Sequence, residues 1–234
     1  MCRVSVILPT YNESGNIGSL IEEILSYLPE DSEIIVVDDD SPDRTWEVAA
    51  AWAQQDPRVL LIRRIGRRGL TTAIQEGFER SRGEVIFWMD CDFSHPPDKI
   101  PEMIEKLSRY DVVVASRYIP GGAERGHSRL GSFLSRVICG LSSLILSPAI
   151  KDYTSGYVGL RRPVLEAIPL RGDYGEYCID LLYRAHTRGY RIVEIPYRCL
   201  PRRSGESKTA TRFSGYLKRG YKYIFTLVRL RFGA

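Results

Sequence analysis

Apolar and polar positions alternate between two patterns along the first half of the chain. Continuous runs rich in Val and Ile stand at 4–8, 33–38, 59–63, 85–90 and 112–116, each bounded by turn residues, and these predict buried strands. Between the first four, apolar residues recur at helical spacing. Residues 16–27 set Ile17, Leu20, Ile21 and Ile24 on one face, with Leu28 just beyond. Residues 44–54 and 70–80 repeat the spacing, the last with Gly83 as its stop, and 98–107 links the fourth strand to the fifth. This alternation predicts an α/β fold with a Rossmann-like, mostly parallel sheet covered by helices on both faces. Its ligands should gather at the carboxyl ends of the strands.

From 117 to 155 the rhythm breaks. The apolar stretch 137–150, interrupted by Gly140, serines and Pro148, is too short and too polar to span a bilayer. It is read as a core helix pair, with an interfacial segment as the alternative. Beyond it, 176–188 reads as a helix and 191–195 as a strand. Residues 213–232 interleave Tyr216, Tyr221, Tyr223, Phe225, Leu227 and Leu230 with basic residues. They form either an amphipathic helix with a cationic face or a solvated helix packed on the domain. The division is thus a domain over 1–212 and a basic tail over 213–234.

Composition narrows the class. With 44% hydrophobic and 26% charged residues the chain fits one ordered α/β domain. Its first apolar run turns polar within a few residues, so neither a signal peptide nor a transmembrane anchor is expected and the address is cytoplasmic. The five cysteines contain no CxxC pair, which argues for reduced thiols and against a structural zinc site. From Arg198 onward ten Lys/Arg face Glu206 alone; that +9, in a chain of net charge +4, leaves −5 for the rest. Such a tail suits an anionic surface, lipid headgroups or nucleic acid. No nucleic-acid-binding motif supports the second, and none is expected as partner.

The chemistry concentrates in Trp88-Met89-Asp90-Cys91-Asp92-Phe93-Ser94-His95-Pro96-Pro97. In an extended segment Asp90 and Asp92 would point the same way and share one hard cation, which also takes diphosphate oxygens; magnesium or manganese suits such a site. Paired aspartates also cap helices, but this pair follows an apolar strand and precedes a Pro-Pro turn. Asp38, Asp39 and Asp40 end the second strand, where ribose hydroxyls or base N–H groups could meet them, while Ser41 and Asp43 start the next helix. After the first strand stands Pro9-Thr10-Tyr11-Asn12-Glu13, without the glycine fingerprint of a dinucleotide site. Tyr11 could pack on a nucleobase that Glu13 hydrogen-bonds. A phosphate-binding lysine loop and a nucleophile elbow are also missing, against NTPase, kinase and hydrolase readings. Arg202, Arg203 and Lys208 form a dense cationic cluster suited to phosphate. Of the three histidines, His95 is placed to organise the Asp-rich turn, and His127 and His186 read as surface or packing residues.

Together, 4–13, 33–46, 90–97, Ser116-Arg117-Tyr118, 152–159 and Gly205-Glu206-Ser207-Lys208 resemble family 2 glycosyltransferases of the GT-A fold, and within them the dolichyl-phosphate mannose synthases. The resemblance implies that Pro9, Tyr11, Glu13, Val37, Asp38, Asp40, Asp90, Cys91, Asp92 and Lys208 hold the nucleotide sugar, GDP-mannose. It implies metal ligation by Asp90, Asp92 and the residue two positions on, here Ser94 where some relatives carry Gln. Arg117, Arg129, Arg202 and Arg203 would take the acceptor phosphate, with Asp92, Arg117 and Arg202 the catalytic set. The implied acceptor is polyprenyl or dolichyl phosphate on the cytosolic face of a membrane, with a small membrane-anchoring subunit as a further partner. Asp180 lies where other family 2 enzymes keep a carboxylate that deprotonates hydroxyl acceptors. Alternatives are a UDP-glucose-dependent transferase on the same lipid, a transferase to a hydroxyl, and a non-catalytic nucleotide-sugar-binding subunit.

Overall fold

Strand β1 (Val4–Thr10) is buried on both faces, as its apolar run, interrupted only by Ser5 before Thr10, leads one to expect. It pairs in parallel with β2 (Ser32–Asp38) on one side and β4 (Val85–Trp88) on the other, and β2 pairs in parallel with β3 (Val59–Arg63). Helices α1 (Ser14–Tyr27), α2 (Thr45–Gln55) and α3 (Leu70–Arg80) make the crossovers. The computed structural model describes residues 3–125, 128–205 and 213–233, with side chains in the last segment from 220 onward. A 3-10 turn (Pro97–Lys99) and α4 (Ile100–Leu107) lead to β5 (Val112–Ser116). Then follow β6 (Ala123–Glu124), α5 (Arg129–Ile145), β7 (Val158–Arg161), α6 (Arg162–Ala167), α7 (Glu176–Thr187), β8 (Ile192–Pro196), β9 (Arg198–Cys199) and α8 (Phe213–Phe232). Among the described residues the main sheet runs β3-β2-β1-β4-β7-β5-β8, and β6 and β9 form a small separate pair.

The sequence did not disclose β6, β7 or β9, and in the main sheet β7 enters antiparallel between β4 and β5. Its four residues include Gly159, whose absent side chain makes room for Phe87; a Cβ there would meet that ring at 2.2 Å. Gly83 is not the stop of α3. The helix ends at Arg80, and Ser81 turns its N–H and hydroxyl onto the Phe78 carbonyl (3.0 and 2.7 Å).

Alternation along the strands divides the core between the two faces of the sheet. Val4, Val6 and Leu8 pack with Ile17, Leu20, Ile24 and Met103, while Ile7, Ile35 and Ile86 pack with Ile74, Phe78, Leu160 and Ile179. The core reading of 137–150 holds for one face of a single helix and the residues just after it: Ile138, Cys139, Leu141, Ile145, Leu146 and Ile150 pack on the core, whereas Val137 and Leu144, with Leu130 and Phe133 before them, are exposed, because the apolar positions of α5 exceed the one stripe that neighbouring elements can cover. α8 packs on α5 and α7, with Tyr223, Leu227 and Leu230 joining the core on that face. No helix among the described residues is long and apolar enough to cross a membrane.

Candidate active site

In the ladder Thr10 stands opposite Asp38 and Ile7 opposite Trp88, so the segments after β1, β2 and β4 open onto one edge of the sheet. Asp38, fully buried, accepts from the Thr10 hydroxyl (2.9 Å) and from the Ser41 hydroxyl and N–H (2.6 and 2.8 Å), knotting the ends of β1 and β2 together. Asp39 takes Arg64 Nε (2.7 Å) and the Gly69 N–H (2.9 Å). Asp40, in the left-handed region at φ +54°, takes Arg63 Nε (2.7 Å), and that guanidinium lies 3.7 Å above the Trp46 ring. Three adjacent carboxylates are tolerable here because each has its own donors. Tyr11 is capped by Arg68, whose guanidinium lies 4.0 Å over the ring and donates to the hydroxyl. The Pro9 carbonyl accepts from the Cys91 thiol (3.5 Å), and the Val37 side chain is fully buried.

Asp90 and Asp92 do not share one extended strand. β4 stops at Trp88 and a turn begins at Cys91, with Phe93 at φ +67°. The cause is local hydrogen bonding: the Ser94 N–H closes onto Asp92 Oδ1 (2.9 Å), and the Asp90 N–H goes to His95 Nδ1 (3.0 Å) instead of a neighbouring strand. His95 therefore organises the Asp-rich turn. It is itself stacked on Tyr157 (4.9 Å between centroids) and edge-on to Tyr197 (5.7 Å). The Asp90 side chain is 54% exposed, while that of Asp92 is 12% exposed. Burial pushes the Asp92 carboxyl up, but hydrogen bonds from the Ser94 hydroxyl and N–H and the charge of Arg202 outweigh it and hold the group below its ordinary value. Ser94, the implied third metal ligand, donates its N–H to Asp92 Oδ1.

Arg202 reaches into this turn from the far end of the chain. Its Nη1 lies 2.9 Å from both carboxylate oxygens of Glu13, and its Nη2 lies 2.9 Å from Asp92 Oδ2. Asn16 adds a bond to Glu13 Oε2 (2.8 Å). Around Arg202 the backbone is pinned: the Leu200 N–H donates to the Ser94 carbonyl (3.2 Å), the Arg203 N–H to the Asp92 carbonyl (3.0 Å), and Asn16 Nδ2 to the Ser204 carbonyl (3.1 Å). The Arg203 guanidinium lies 3.5 Å over Phe93. Glu13, Asp92, Arg202 and Arg203 are thus brought together beside Asp90.

Arg117 is held elsewhere. It is 5% exposed and forks onto Asp152 through Nε and Nη2 (both 2.8 Å), with Nη1 on Glu124 (2.8 Å) and Thr154 in reach (2.9 Å). Burial would lower its pKa, but Asp152 more than offsets that and raises it well above the ordinary value. Arg129 is exposed in the first turn of α5, behind the Ser128 cap. Asp180 is 1% exposed and carries Arg184 (2.9 Å) and Arg229 of α8 (2.7 Å). His186 bonds Ser147 (3.0 Å). Lys208 and His127 lie outside the described residues.

No group of three or more His, Cys, Asp or Glu among the described residues makes a metal cage. Asp90, exposed, and Asp92, largely buried, fit the other arrangement open to Mg2+ or Mn2+, in which substrate phosphates and water complete the shell. Arg63, Arg64 and Arg68 went unremarked in the sequence. The run Arg63-Arg64-Ile65-Gly66-Arg67-Arg68 directly after a strand was the available signal, since it places cations at the same edge as Asp39 and Asp40.

A doubly covered, largely parallel sheet with acidic groups converging at its carboxyl edge, a DxD turn and no glycine-rich phosphate loop defines the GT-A class of glycosyltransferases. The family described as Glycosyl transferase family 2 matches residues 5–168, and the chain belongs to that family. It is 37% identical over 210 residues to the dolichol-phosphate mannosyltransferase of Pyrococcus furiosus, covering 88% of this chain but only 59% of that protein. It is 37% identical over 214 residues to the polyprenol monophosphomannose synthase of Mycolicibacterium smegmatis, across 88% of this chain and 80% of the relative. The undecaprenyl-phosphate mannosyltransferase of Micrococcus luteus is 36% identical over 220 residues, across 88% and 87%. The fold is also that of glucosyl-3-phosphoglycerate synthase from Mycobacterium tuberculosis, solved with Mn2+ and UDP, at TM-score 0.75 and 20% identity over 98% of this chain and 80% of the other.

Proposed function

We propose that the chain is an inverting glycosyltransferase that moves mannose from GDP-mannose to polyprenyl phosphate at a membrane surface, giving a β-linked lipid phosphate mannose. The observation that carries the acceptor assignment is Asp180. It is the carboxylate that would deprotonate a hydroxyl acceptor, and it is buried with both oxygens on arginines. A phosphate monoester needs no such base, since its oxygen is already ionised near neutral pH. It needs fixed positive charge against the repulsion between two anionic reactants, and Arg202 and Arg203 at the DxD turn supply it. The three relatives are named for mannosyl transfer and polyprenyl phosphates, which supports the same substrates.

In this reading Tyr11 packs on the base, and Glu13 and Asp40 accept from base and ribose. Asp90 and Asp92 would hold Mg2+ or Mn2+, which when bound neutralises charge on the departing diphosphate. α5 and α8 supply the membrane side. They touch, and they expose Leu130, Phe133, Val137 and Leu144 on one and Tyr221, Ile224, Phe225, Val228 and Phe232 on the other, beside Arg129 and Arg231. Paired apolar stripes with basic neighbours suit a peripheral protein on an anionic leaflet, here the cytosolic face.

The test is transfer of label from sugar-labelled GDP-mannose into an organic-soluble product, with vesicles carrying polyprenyl phosphate or free polyprenol. Label should enter lipid only with the phosphate and only without chelator. Transfer to free polyprenol would overturn the acceptor, and preference for UDP-glucose would overturn the donor.

A further inference from the structure

One guanidinium holds two carboxylates that the proposed reaction gives to different tasks. Arg202 Nη1 is shared between both oxygens of Glu13, on the nucleoside side, and Nη2 sits 2.9 Å from Asp92 Oδ2, on the metal side. The three side chains are 6%, 12% and 18% exposed for Glu13, Asp92 and Arg202, so solvent screens the contact weakly. The contact is not left to a loose segment, because Leu200, Arg203 and Ser204 tie the flanking backbone to the DxD turn and to Asn16 of α1. A divalent ion and a guanidinium N–H compete for the same oxygen lone pairs, so a metal that takes Asp92 Oδ2 must first break the Arg202 contact.

We infer that Arg202 and a divalent ion compete for Asp92, so that metal binding must displace the guanidinium, which Glu13 keeps close by when it goes. The inference rests on the metal reading above. Two consequences follow from competition for Asp92 Oδ2. Metal alone binds weakly, because the guanidinium loses a partner and gains none. Metal with a nucleoside diphosphate binds well, because the diphosphate offers the released guanidinium a new anion.

The experiment measures Mn2+ affinity from the electron paramagnetic resonance of the free ion, with and without GDP, in the complete chain. Wild type is compared with Arg202→Gln, Arg202→Lys and Arg203→Gln. Without nucleotide, Arg202→Gln should bind Mn2+ roughly tenfold more tightly than wild type, and it should gain less from added GDP. Arg202→Lys should fall between, since an ammonium cannot fork across Glu13 and Asp92 while its charge keeps the fold supplied with a cation. Arg203→Gln removes the same charge one position away, from a side chain over Phe93, and should stay near wild type. Equal tightening in the two Gln variants reduces the effect to net charge and overturns the inference, as does an Arg202→Gln chain no tighter than wild type. A wild-type chain that binds no Mn2+ even with GDP overturns the metal reading and this one with it.

Discussion

Arg117 holds Asp152 and Glu124, whose side chains are 0% and 2% exposed, so truncating it strands two carboxylates away from water. Breaking a buried pair from one side typically costs about 3–5 kcal/mol. Arg117→Ala should therefore lose about that much unfolding free energy in urea, and any loss of transfer has to be read against loss of folded protein. An unchanged urea midpoint would show that the ion cluster is not structural. Asp92 behaves differently because Arg202 keeps Glu13 as a second partner when Asp92 is neutralised. Asp92→Asn keeps the shape and can still accept from Ser94, yet it loses the charge that a metal or Arg202 requires. Transfer should fall by roughly 10²–10³, a loss of about 3–4 kcal/mol of transition-state stabilisation, with a smaller drop in melting temperature than Arg117→Ala gives. Near wild-type turnover in steady-state assays would remove Asp92 from the metal site.

At the scale of elements, α5 and α8 set the question of lipid contact. Phe133 on α5 is 63% exposed and Phe225 on α8 is 62% exposed, and neither supports the core. Phe133→Asp and Phe225→Asp should each weaken cosedimentation with anionic vesicles while leaving the far-ultraviolet spectrum intact, and raising salt should weaken the wild type too. If only the α8 substitution matters, α5 is not part of the surface. The pairing of these helices also marks where sequence reading ends. The strands β1 to β5 were legible as Val- and Ile-rich runs bounded by turn residues, and the tail helix as aromatic and apolar positions interleaved with basic ones. β7 was not, since a glycine and an arginine take two of its four positions. α5 was legible only in part, because its apolar content is visible in sequence, whereas which face its neighbours cover is not. The site divides in the same way. Asp90, Asp92 and His95 lie within one turn and could be read together, but Glu13 and Arg202 are 189 positions apart and only the fold joins them.

For the whole molecule, the carboxylates that tie elements together set its response to acid. Glu33 of β2 accepts from the Ser5 hydroxyl of β1 (2.6 Å) and from the Arg82 N–H just before β4 (2.6 Å). Burial pushes this carboxyl up, but the bonds from Ser5 and Arg82 outweigh it and leave it below its ordinary value. Asp43 is also depressed, burial again being outweighed by bonds from Thr45 and Ser14, which join α2 to α1. Asp111 is depressed mainly by its bond from Arg191, which ties the start of β5 to that of β8. A carboxyl depressed in the folded state contributes stability above its unfolded pKa, and that contribution is lost as pH falls through the folded pKa, because the unfolded chain then binds more protons. The melting temperature should therefore be flat from pH 7 to about 5 and drop steeply below about 4. Glu33→Gln separates this linkage from general acid damage. It should melt lower than wild type at pH 7, having lost charge-assisted bonds that join β1, β2 and the segment before β4, yet fall less steeply below pH 4 because one linked proton is gone. Parallel curves for the two proteins across the acid range would mean that Glu33 titrates alike in the folded and unfolded chains, and that the acid transition is set elsewhere.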